Sequence, residues 1–272
     1  MTTVLRAKVA IVTGGGRGLG RAMALGLARA GLRVAITAAR MRDEIEAVAR
    51  EAPQGQIHPV IADVSSKSAC AALIEEVEAR LGPVDVLVNN AGRGMRYVSE
   101  RFLSDPTRFW ETDPETWQMV IGTNVNGPFF MSRGVVPSMI ARDWGRIINI
   151  SMNHETMRRR GFSPYGPSKA ALESETIIWA QDLAGTGVTV NALLPGGASL
   201  TGMIPNEVPQ ELREKLISPE IMVPPLLWLV SDAAADVSGK RFDASLWDTT
   251  LAPNDAAAQA SDVPLCAIAR DE

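Results

Sequence analysis

Close to its start, the chain contains the glycine-rich segment Thr13-Gly14-Gly15-Gly16-Arg17-Gly18-Leu19-Gly20. It follows the apolar run Val9-Ala10-Ile11-Val12, which is typical of a buried β-strand, and it leads into a helical pattern of apolar residues. Glycine has no Cβ, so the backbone can turn sharply and approach a pyrophosphate at the N-terminus of the helix. Such a loop also fits a tight turn without a ligand, but its position after the first strand predicts a dinucleotide site.

The same alternation of strand and helix continues along the chain. Predicted strands cover residues 9–13, 34–37, 57–62, 84–89, 147–151 and 188–194, and predicted helices cover residues 18–30, 42–51, 67–81 and 168–183. Continuous apolar strands separated by amphipathic helices build a parallel sheet that helices cover on both faces. The sequence therefore predicts an α/β fold, a single domain over residues 1–251 with a doubly wound parallel sheet of the Rossmann type.

Three segments interrupt this alternation. Residues 93–113 and 195–225 each follow a predicted strand and would leave the carboxyl edge of the sheet, where open α/β sheets bind their ligands. We expect both to be substrate loops. Residues 252–272 are rich in alanine and polar residues, and they predict a loosely held C-terminal tail or an arm across a neighbouring subunit.

Composition narrows the possible partners. The chain has 27 Lys and Arg against 31 Asp and Glu, so no basic field favours nucleic acid or a membrane surface, and a small molecule is expected. There is no run of ~20 apolar residues and no pattern of a secretion signal, which favours a cytoplasmic protein. Cys70 and Cys266 match no metal or disulfide spacing, so we expect free thiols and no metal site.

The end of the second predicted strand bears on the choice of cofactor. NAD-binding loops place an acidic residue there, about 20 residues after the glycines, to bind the ribose hydroxyl. This strand instead ends Ile36-Thr37-Ala38-Ala39-Arg40, without an acid. Arg17 and Arg40 suit a 2′-phosphate, although either alone could be a solvated surface cation. The sequence therefore favours NADP(H), with NAD(H) as second choice.

Further motifs follow the loop Thr13 to Gly20 in order along the chain: Asp63-Val64, Asn89-Asn90-Ala91-Gly92, Asn124, Tyr165-Gly166-Pro167-Ser168-Lys169 and Pro195-Gly196. Together with that loop, they make the chain resemble the short-chain dehydrogenase/reductase family over nearly its whole length. The resemblance, together with the two arginines, implies cofactor contacts from Thr13, Gly14, Gly16, Arg17, Gly18, Leu19, Gly20, Arg40, Asp63, Val64, Asn90, Ala91, Gly92, Tyr165, Lys169, Pro195 and Gly196.

Tyr165 and Lys169 are the candidate acid/base pair. Four residues of helix place both side chains on one face, so the ammonium is expected to lower the pKa of the phenol toward neutrality. The phenol could then exchange a proton with a substrate oxygen while hydride moves at carbon. The resemblance implies that Lys169 also holds the nicotinamide ribose and that Asn124 supports a proton-relay water. An isolated Tyr-x-x-x-Lys would describe a surface pair, but the surrounding motifs favour catalysis.

One position departs from the family pattern. The family places a serine thirteen residues before the tyrosine, where it binds the substrate carbonyl, and here that residue is Met152. A thioether is a weak acceptor and no donor, so it cannot replace the hydroxyl. Ser151 points to the opposite face of the strand. Asn153 or His154 could supply the donor, or both could be plain loop residues, and we favour Asn153 because its amide carries two N–H groups.

The expected function is hydride transfer between NADP(H) and a carbonyl or alcohol substrate. Two rivals stay open, namely an NADP(H)-binding sensor or scaffold without catalysis and a reductase of C=N or C=C bonds. Helices near residues 114–140 and 164–184 resemble the family's subunit contacts and imply a homodimer or homotetramer. Arg93, Arg96 and residues 158–160 could bind a carboxylate or phosphate of the substrate, although a charge run is usually solvated.

Overall fold

A computed structural model describes residues 5, 7–202, 204 and 210–261. Within them the strands are β1 Val9–Val12, β2 Arg33–Ala38, β3 Ile57–Ile61, β4 Val86–Asn89, β5 Gly145–Ile150, β6 Val188–Leu194 and β7 Arg241–Asp243. The helices are α1 Gly18–Arg29, α2 Arg42–Glu51, α3 Lys67–Leu81, α4 Pro114–Ile121, α5 Gly127–Ala141, α6 His154–Met157, α7 Tyr165–Asp182, α8 Gln210–Arg213, α9 Val223–Leu229 and α10 Pro253–Ala260. A π-helical segment, Gly122–Asn126, joins α4 to α5.

The seven strands form one sheet in the order β3-β2-β1-β4-β5-β6-β7, and every pairing is parallel. The predicted doubly wound α/β fold is therefore confirmed. Strand order reverses between β1 and β4, and crevices at such a switch point bind ligands beyond the carboxyl ends of the strands. The glycine loop after β1 and residues 90–92 after β4 both lie at this point.

Successive side chains of each strand enter two separate apolar layers. Ala10 and Val12 of β1 pack in one layer with Met23 of α1, whereas Val9 and Ile11 pack in the other, which also holds buried residues of α3 and α5. Both faces of the sheet are thus covered, as continuous apolar strands require. The core fixes the strand ends, and with them the loops that carry the site.

Helix α7 begins earlier than the sequence pattern indicated. The prediction started it at residue 168, but the helix starts at Tyr165. Pro167 falls in the first turn, where backbone N–H groups have no helical partner, so the proline is tolerated. The early start places the whole Tyr165-x-x-x-Lys169 motif on one helix.

The C-terminal segment also differs from the loosely held tail that we predicted. Residues Pro253–Ala260 form α10, in which Ala256, Ala257 and Ala260 are buried. Small alanine side chains allow this helix to pack closely, and Asn254 Oδ1 accepts a hydrogen bond of 2.8 Å from Trp228 Nε1. Residues 262–272, including Cys266, lie outside the described residues. Among the described helices, none is long and apolar enough to cross a membrane.

Candidate active site

The glycine loop leaves the N-terminus of α1 open to an anion. Gly14 and Gly18 have φ angles of +65° and +52°, in the left-handed region that favours glycine. Helix α1 has no side-chain N-cap and no acidic residue in its first turn. A Cβ at Gly20 would lie 2.2 Å from the Gly14 carbonyl oxygen, so the loop can close only with glycine there. Free backbone N–H groups and the positive end of the helix dipole stabilise a bound pyrophosphate.

Thr13 holds this loop from behind. Its Oγ1 accepts hydrogen bonds of 3.0 Å from the backbone N–H groups of Asn90 and Ala91. Asn90 Nδ2 donates to the carbonyl oxygens of Thr13 and Gly14 at 2.8 and 3.1 Å. Thr37 adds a further link, since its Oγ1 accepts from the Gly14 N–H at 3.2 Å. The ends of β1, β2 and β4 are therefore tied together at the switch point.

A cavity of about 890 Å³, here called the main cavity, opens beside this loop. Most of the sequence-predicted cofactor residues line it, namely Gly14, Gly16, Arg17, Gly18, Leu19, Gly20, Arg40, Asp63, Val64, Asn90, Ala91, Gly92, Tyr165, Lys169 and Pro195. Thr13 lies behind the wall, and Gly196 turns away, so that a Cβ there would meet Ser245 and Asp243. The glycine cradle and the uncapped helix end fit a dinucleotide.

Charged side chains surround one end of the main cavity. Burial would raise the pKa of Asp63, but hydrogen bonds from Ser65 and the cations Arg93 and Arg40 lower it overall. Arg17 Nη1 lies 3.6 Å from Glu44 Oε1, and Glu44 also lines the cavity. The sequence analysis missed Glu44, because it lies in α2 rather than at the end of β2. Arg17 and Arg40, which are suited to a phosphate, thus share this end with the carboxylates of Glu44 and Asp63.

Tyr165 and Lys169 lie on one face of α7 and both line the main cavity. Lys169 Nζ donates a hydrogen bond of 2.7 Å to the Ile150 carbonyl oxygen at the end of β5. A Cβ at Gly92 would lie 3.8 Å from Lys169 Nζ and 3.5 Å from Asn124 Oδ1, so the ammonium and the amide flank the same glycine. The structure thus brings Tyr165, Lys169 and Asn124 together.

The pKa of the tyrosine does not follow the sequence expectation. Desolvation raises the pKa of Tyr165 to about 12, whereas we expected the ammonium to lower it toward neutrality. Desolvation also lowers the pKa of Lys169 to about 8, against the opposing effect of the Glu173 carboxylate. Burial penalises both charged forms, and the ammonium bonds to Ile150 instead of the phenol. Tyr165 is therefore a protonated phenol at neutral pH.

The side chain of Asn124 forms hydrogen bonds with neighbouring residues of the protein. Its Oδ1 accepts from the Arg93 N–H at 2.8 Å, and its Nδ2 donates to the Arg93 carbonyl at 3.0 Å and to Ser168 Oγ at 2.9 Å. The residue is buried in the π-helical segment and does not line the main cavity. Asn124 therefore clamps the strand β4 loop to α7, next to Lys169.

A buried ion network that sequence reasoning missed lies next to Tyr165 and Lys169. Glu173, one turn after Lys169, accepts hydrogen bonds from Ser151 Oγ at 2.5 Å, from His154 Nε2 at 2.8 Å and from Arg241 Nε at 2.9 Å. Arg241 also donates to the Met152 carbonyl oxygen at 2.7 Å. The network therefore fixes the backbone that follows β5. It could not be predicted, because no sequence motif relates Arg241 of β7 to Glu173 of α7.

The residue that departs from the family pattern, Met152, lies in the wall of the main cavity. Met152 is 9% exposed and packs with Met95, Phe102 and Phe162 as an apolar wall of the main cavity. Asn153 lines the cavity as well, and its Oδ1 accepts from the Thr156 N–H at 2.8 Å. Its Nδ2 has no acceptor among the described residues. His154 instead lines a separate cleft and bonds to Glu173.

The arginines proposed for substrate binding fall into two groups. Arg93 lies 3.6 Å from Asp63, and Arg96 pairs with Glu100 at 3.0 Å and donates to the Gly202 carbonyl, so both have protein partners. Residues 158–160 are exposed, and none of them forms an ion pair within the described part of the chain. Only the second group remains available to an anion.

Comparisons with known proteins agree with this geometry. The family model "short chain dehydrogenase" matches residues 8–212. The chain is 36% identical to an acetoacetyl-CoA reductase of Shinella zoogloeoides, over 88% of this chain and 97% of the relative. It is 30% identical to a 3-oxoacyl-(acyl-carrier-protein) reductase of Thermotoga maritima, over 87% of this chain and 95% of the relative.

Solved structures add the cofactor chemistry of relatives. A putative NAD(P)-dependent gluconate 5-dehydrogenase from Beutenbergia cavernae with bound NADP aligns with a TM-score of 0.75 and 31% identity, over 88% of this chain and 96% of that chain. A 3-ketoacyl-(acyl-carrier-protein) reductase from Brucella melitensis, complexed with NADH, aligns with a TM-score of 0.77 and 28% identity, over 88% and 97%. The chain therefore belongs to the short-chain dehydrogenase/reductase family, as an NAD(P)-dependent oxidoreductase of carbonyl and alcohol substrates.

Proposed function

We propose that the protein moves a hydride between NADP(H) and a carbonyl or alcohol carbon, with Tyr165 as the proton donor and acceptor. One observation carries the proposal: Tyr165 and Lys169 line the same cavity as the open glycine loop. A dinucleotide laid along that loop would bring its nicotinamide end toward the phenol. When bound, the dinucleotide supplies or accepts the hydride.

In the direction of reduction, Tyr165 donates its proton to the carbonyl oxygen as hydride reaches the carbon, and an alcohol forms. The phenol pKa of about 12 keeps this proton in place at neutral pH. The tyrosinate that results is stabilised by the Lys169 ammonium, which has three donors and uses one of them on Ile150. The other two donors of Lys169 are available to the tyrosinate and to the nicotinamide ribose. In oxidation each step runs backwards.

Asn153 is the proposed replacement for the family's serine. Its Oδ1 is occupied by the Thr156 N–H, and Nδ2 has no acceptor among the described residues, so its N–H groups are available to a ligand in the main cavity. An amide N–H donates to a carbonyl oxygen without a change of protonation state, so it can bind the substrate in place of a hydroxyl. Asn124 takes a supporting role, since its buried side chain positions the loop that faces Lys169.

The test of catalysis uses the two tyrosines of the chain as a matched pair. Both line the main cavity. We expect Tyr165→Phe to lower kcat by about 100-fold or more on a panel of ketones, alcohols, imines and activated alkenes, followed by nicotinamide absorbance. Tyr97→Phe should leave the rates unchanged. If no panel compound shows Tyr165-dependent turnover but NADP(H) still binds, the protein is a sensor or scaffold and the catalytic proposal is wrong.

The preference for NADP(H) rests on Arg17 and Arg40, against the opposing charge of Glu44. We expect Arg40→Asp to weaken NADP(H) binding by about tenfold to 100-fold and to spare NAD(H), because a charge-assisted bond to the 2′-phosphate is lost. Glu44→Gln should instead strengthen the preference for NADP(H), because it removes the negative charge next to Arg17. An unchanged ratio of the two dissociation constants in Arg40→Asp would count against the assignment of NADP(H).

We also propose that the domain assembles as a homodimer or homotetramer. Large apolar side chains stay exposed on α4, α5 and α7, among them Trp117, Phe129 and Ile178. Burying them against a symmetric copy would remove this apolar surface from water. The mass in solution, measured at several protein concentrations, tests the proposal, and a monomer at all concentrations would contradict it.

A further inference from the structure

The part of the main cavity beside Tyr165 is lined by hydrocarbon and thioether groups. Met95, Phe102, Met152 and Phe162 line the cavity and belong to one buried cluster, and we call these four side chains the apolar wall. The Tyr165 ring packs against this cluster. The rings of Phe102 and Phe162 meet edge to face, with centroids 5.9 Å apart. The phenol proposed as proton donor therefore lies next to a packed apolar surface.

Three separate segments of the chain build the apolar wall. Met95 and Phe102 belong to the segment that follows β4, Met152 follows β5, and Phe162 lies between α6 and α7. All four side chains are at most 9% exposed, so each is held in place by its neighbours and only an edge of it faces the cavity. The shape of this surface is therefore fixed before a ligand binds.

Further apolar side chains line the main cavity and stay accessible to water. Leu103, in the segment after β4, is 42% exposed. The described part of the segment after β6 adds Ile204 and Leu216, both partly exposed. A ligand that covers such side chains in a concave space removes apolar surface from water. The cavity beside the apolar wall therefore favours an apolar ligand.

The nearby polar groups do not favour a polar ligand at this wall. Arg93 and Arg96 line the cavity, but their nitrogens lie 3.6 and 3.0 Å from carboxylate oxygens of the protein. Arg159 is exposed, and its guanidinium carbon lies 5.6 Å from the Phe162 ring. The side chains of the apolar wall offer no hydrogen-bond donor and only weak thioether acceptors. A polar atom held against them would lose its hydrogen bonds to water and gain none.

We propose that the substrate is a ketone or secondary alcohol whose reacting carbon carries a bulky hydrocarbon group, and that this group lies against the apolar wall. The proposal rests on the proposed function, since it places the reacting carbon at Tyr165. Met152 then has a role of its own, because it extends the apolar wall to the position where the family has a hydroxyl. Unbranched methionine side chains also adapt to the shape of a hydrocarbon group. The carbonyl oxygen binds to Asn153 and Tyr165.

The first experiment compares ketones of matched shape. Cyclohexyl methyl ketone is assayed beside its tetrahydropyranyl analogue, in which an oxygen replaces the ring methylene opposite the acetyl group, and beside butanone, which has no ring. We expect kcat/KM for the cyclohexyl ketone to exceed that for the tetrahydropyranyl ketone by about tenfold, because the ring oxygen finds no donor at the apolar wall. It should exceed that for butanone by about tenfold to 100-fold, because butanone buries less apolar surface.

The second experiment changes the apolar wall itself. Met152→Gln keeps the length of the side chain but adds an amide, so it should lower the cyclohexyl-to-tetrahydropyranyl ratio of kcat/KM by about threefold to tenfold. Met152→Leu stays apolar at a similar volume and should keep this ratio within about twofold of the parent. Both ketones are measured on the same sample, so the ratio does not depend on the fraction of the variant that folds.

The third experiment uses an exposed position, where a substitution disturbs the fold least. Leu103→Ser should lower the cyclohexyl-to-butanone ratio of kcat/KM by about threefold, because the ring loses part of its apolar contact. Leu251→Ser is the matched control, since Leu251 is 41% exposed, close to the 42% of Leu103, and does not line the main cavity. It should leave the ratio unchanged.

Two results would overturn this proposal alone. Equal kcat/KM for the three ketones, with turnover that still depends on Tyr165, would show that no hydrocarbon group binds beside the phenol. A parent-like ratio in Met152→Gln would show that the apolar wall does not contact the substrate. In both cases the proposed function would stand. If a protein that binds NADP(H) turned over none of the three ketones, both the substrate class and the proposed function would be overturned.

Discussion

The buried pair of Glu173 and Arg241 gives a prediction that can be worked out from the structure. The two side chains are 8% and 1% exposed, and Arg241 Nε lies 2.9 Å from Glu173 Oε1. Arg241→Met removes the cation and leaves the carboxylate buried. Breaking a buried pair in this way costs ~3–5 kcal/mol of unfolding free energy. We expect about 3 kcal/mol, the lower end, because Ser151 and His154 still donate to Glu173.

A second substitution, Glu173→Gln, shows whether the two side chains are energetically coupled. In the parent, Glu173→Gln should destabilise, because Arg241 loses its counter-charge. In the Arg241→Met background the same change should restore about 1–2 kcal/mol, because a neutral amide replaces an unpaired buried charge. The assay is urea unfolding at one fixed protein concentration. The control is Arg33→Met, which replaces an exposed arginine of β2. It should change the free energy of unfolding by about 0.5 kcal/mol or less.

Two results would refute the reasoning. A loss below about 1 kcal/mol for Arg241→Met would mean that water or movement of the chain compensates the buried charge. Losses that simply add in the double variant would mean that the two side chains are not coupled. Since Arg241 also donates to the Met152 carbonyl, we expect Arg241→Met to lower kcat/KM while NADP(H) affinity is retained.

Three further changes follow from the same structure. Glu175→Gln should stabilise the protein at pH 8 by about 1–2 kcal/mol, because burial raises the pKa of Glu175 to about 7 and its Oε2 has no hydrogen-bond partner. Between about pH 4.5 and 7 the folded state then binds more protons than the unfolded state. The free energy of unfolding should therefore fall as the pH rises through this window in the parent, but not in the variant. Identical pH profiles of the two proteins would contradict this. Gly20→Ala should weaken NADP(H) binding by more than about tenfold in a titration, because its Cβ would meet the Gly14 carbonyl; parent-like affinity would mean that the loop relaxes. Asn153→Ala should lower kcat/KM for ketones by about tenfold with little change in NADP(H) affinity, and an equal kcat/KM would remove Asn153 from the substrate site.

Much of the fold could be predicted because apolar periodicity decides burial. Strand β6 and helices α2 and α3 have the predicted bounds, since a glycine or proline follows the end of each: Pro195 after β6, Pro53 after α2 and Gly82 after α3. Strand β7 is only three residues long and gives no periodic pattern, and α10 resembles a tail because its buried side chains are alanines. Short or small-residue elements carry too little apolar signal to be recognised locally.

Only those parts of the site whose residues lie close together in the sequence could be predicted. The glycine loop and Tyr165-x-x-x-Lys169 could be read directly, because each function depends on neighbours in the chain. The Glu173 and Arg241 pair joins residues 68 apart, and Glu44 enters the cavity through the packing of α2, so neither could be found from spacing. The raised pKa of Tyr165 likewise depends on burial by the whole fold, which sequence does not give.

A crystal structure of the protein with NADPH and a slowly reacting ketone would show whether Tyr165 reaches the reacting carbonyl. We expect the pyrophosphate at the N-terminus of α1 and the Tyr165 hydroxyl oxygen about 2.6–3.2 Å from the ketone oxygen. We also expect Lys169 Nζ to contact the nicotinamide ribose. A dinucleotide bound away from the glycine loop, or a ketone oxygen held by other side chains with Tyr165 turned aside, would show that Tyr165 is not the proton donor.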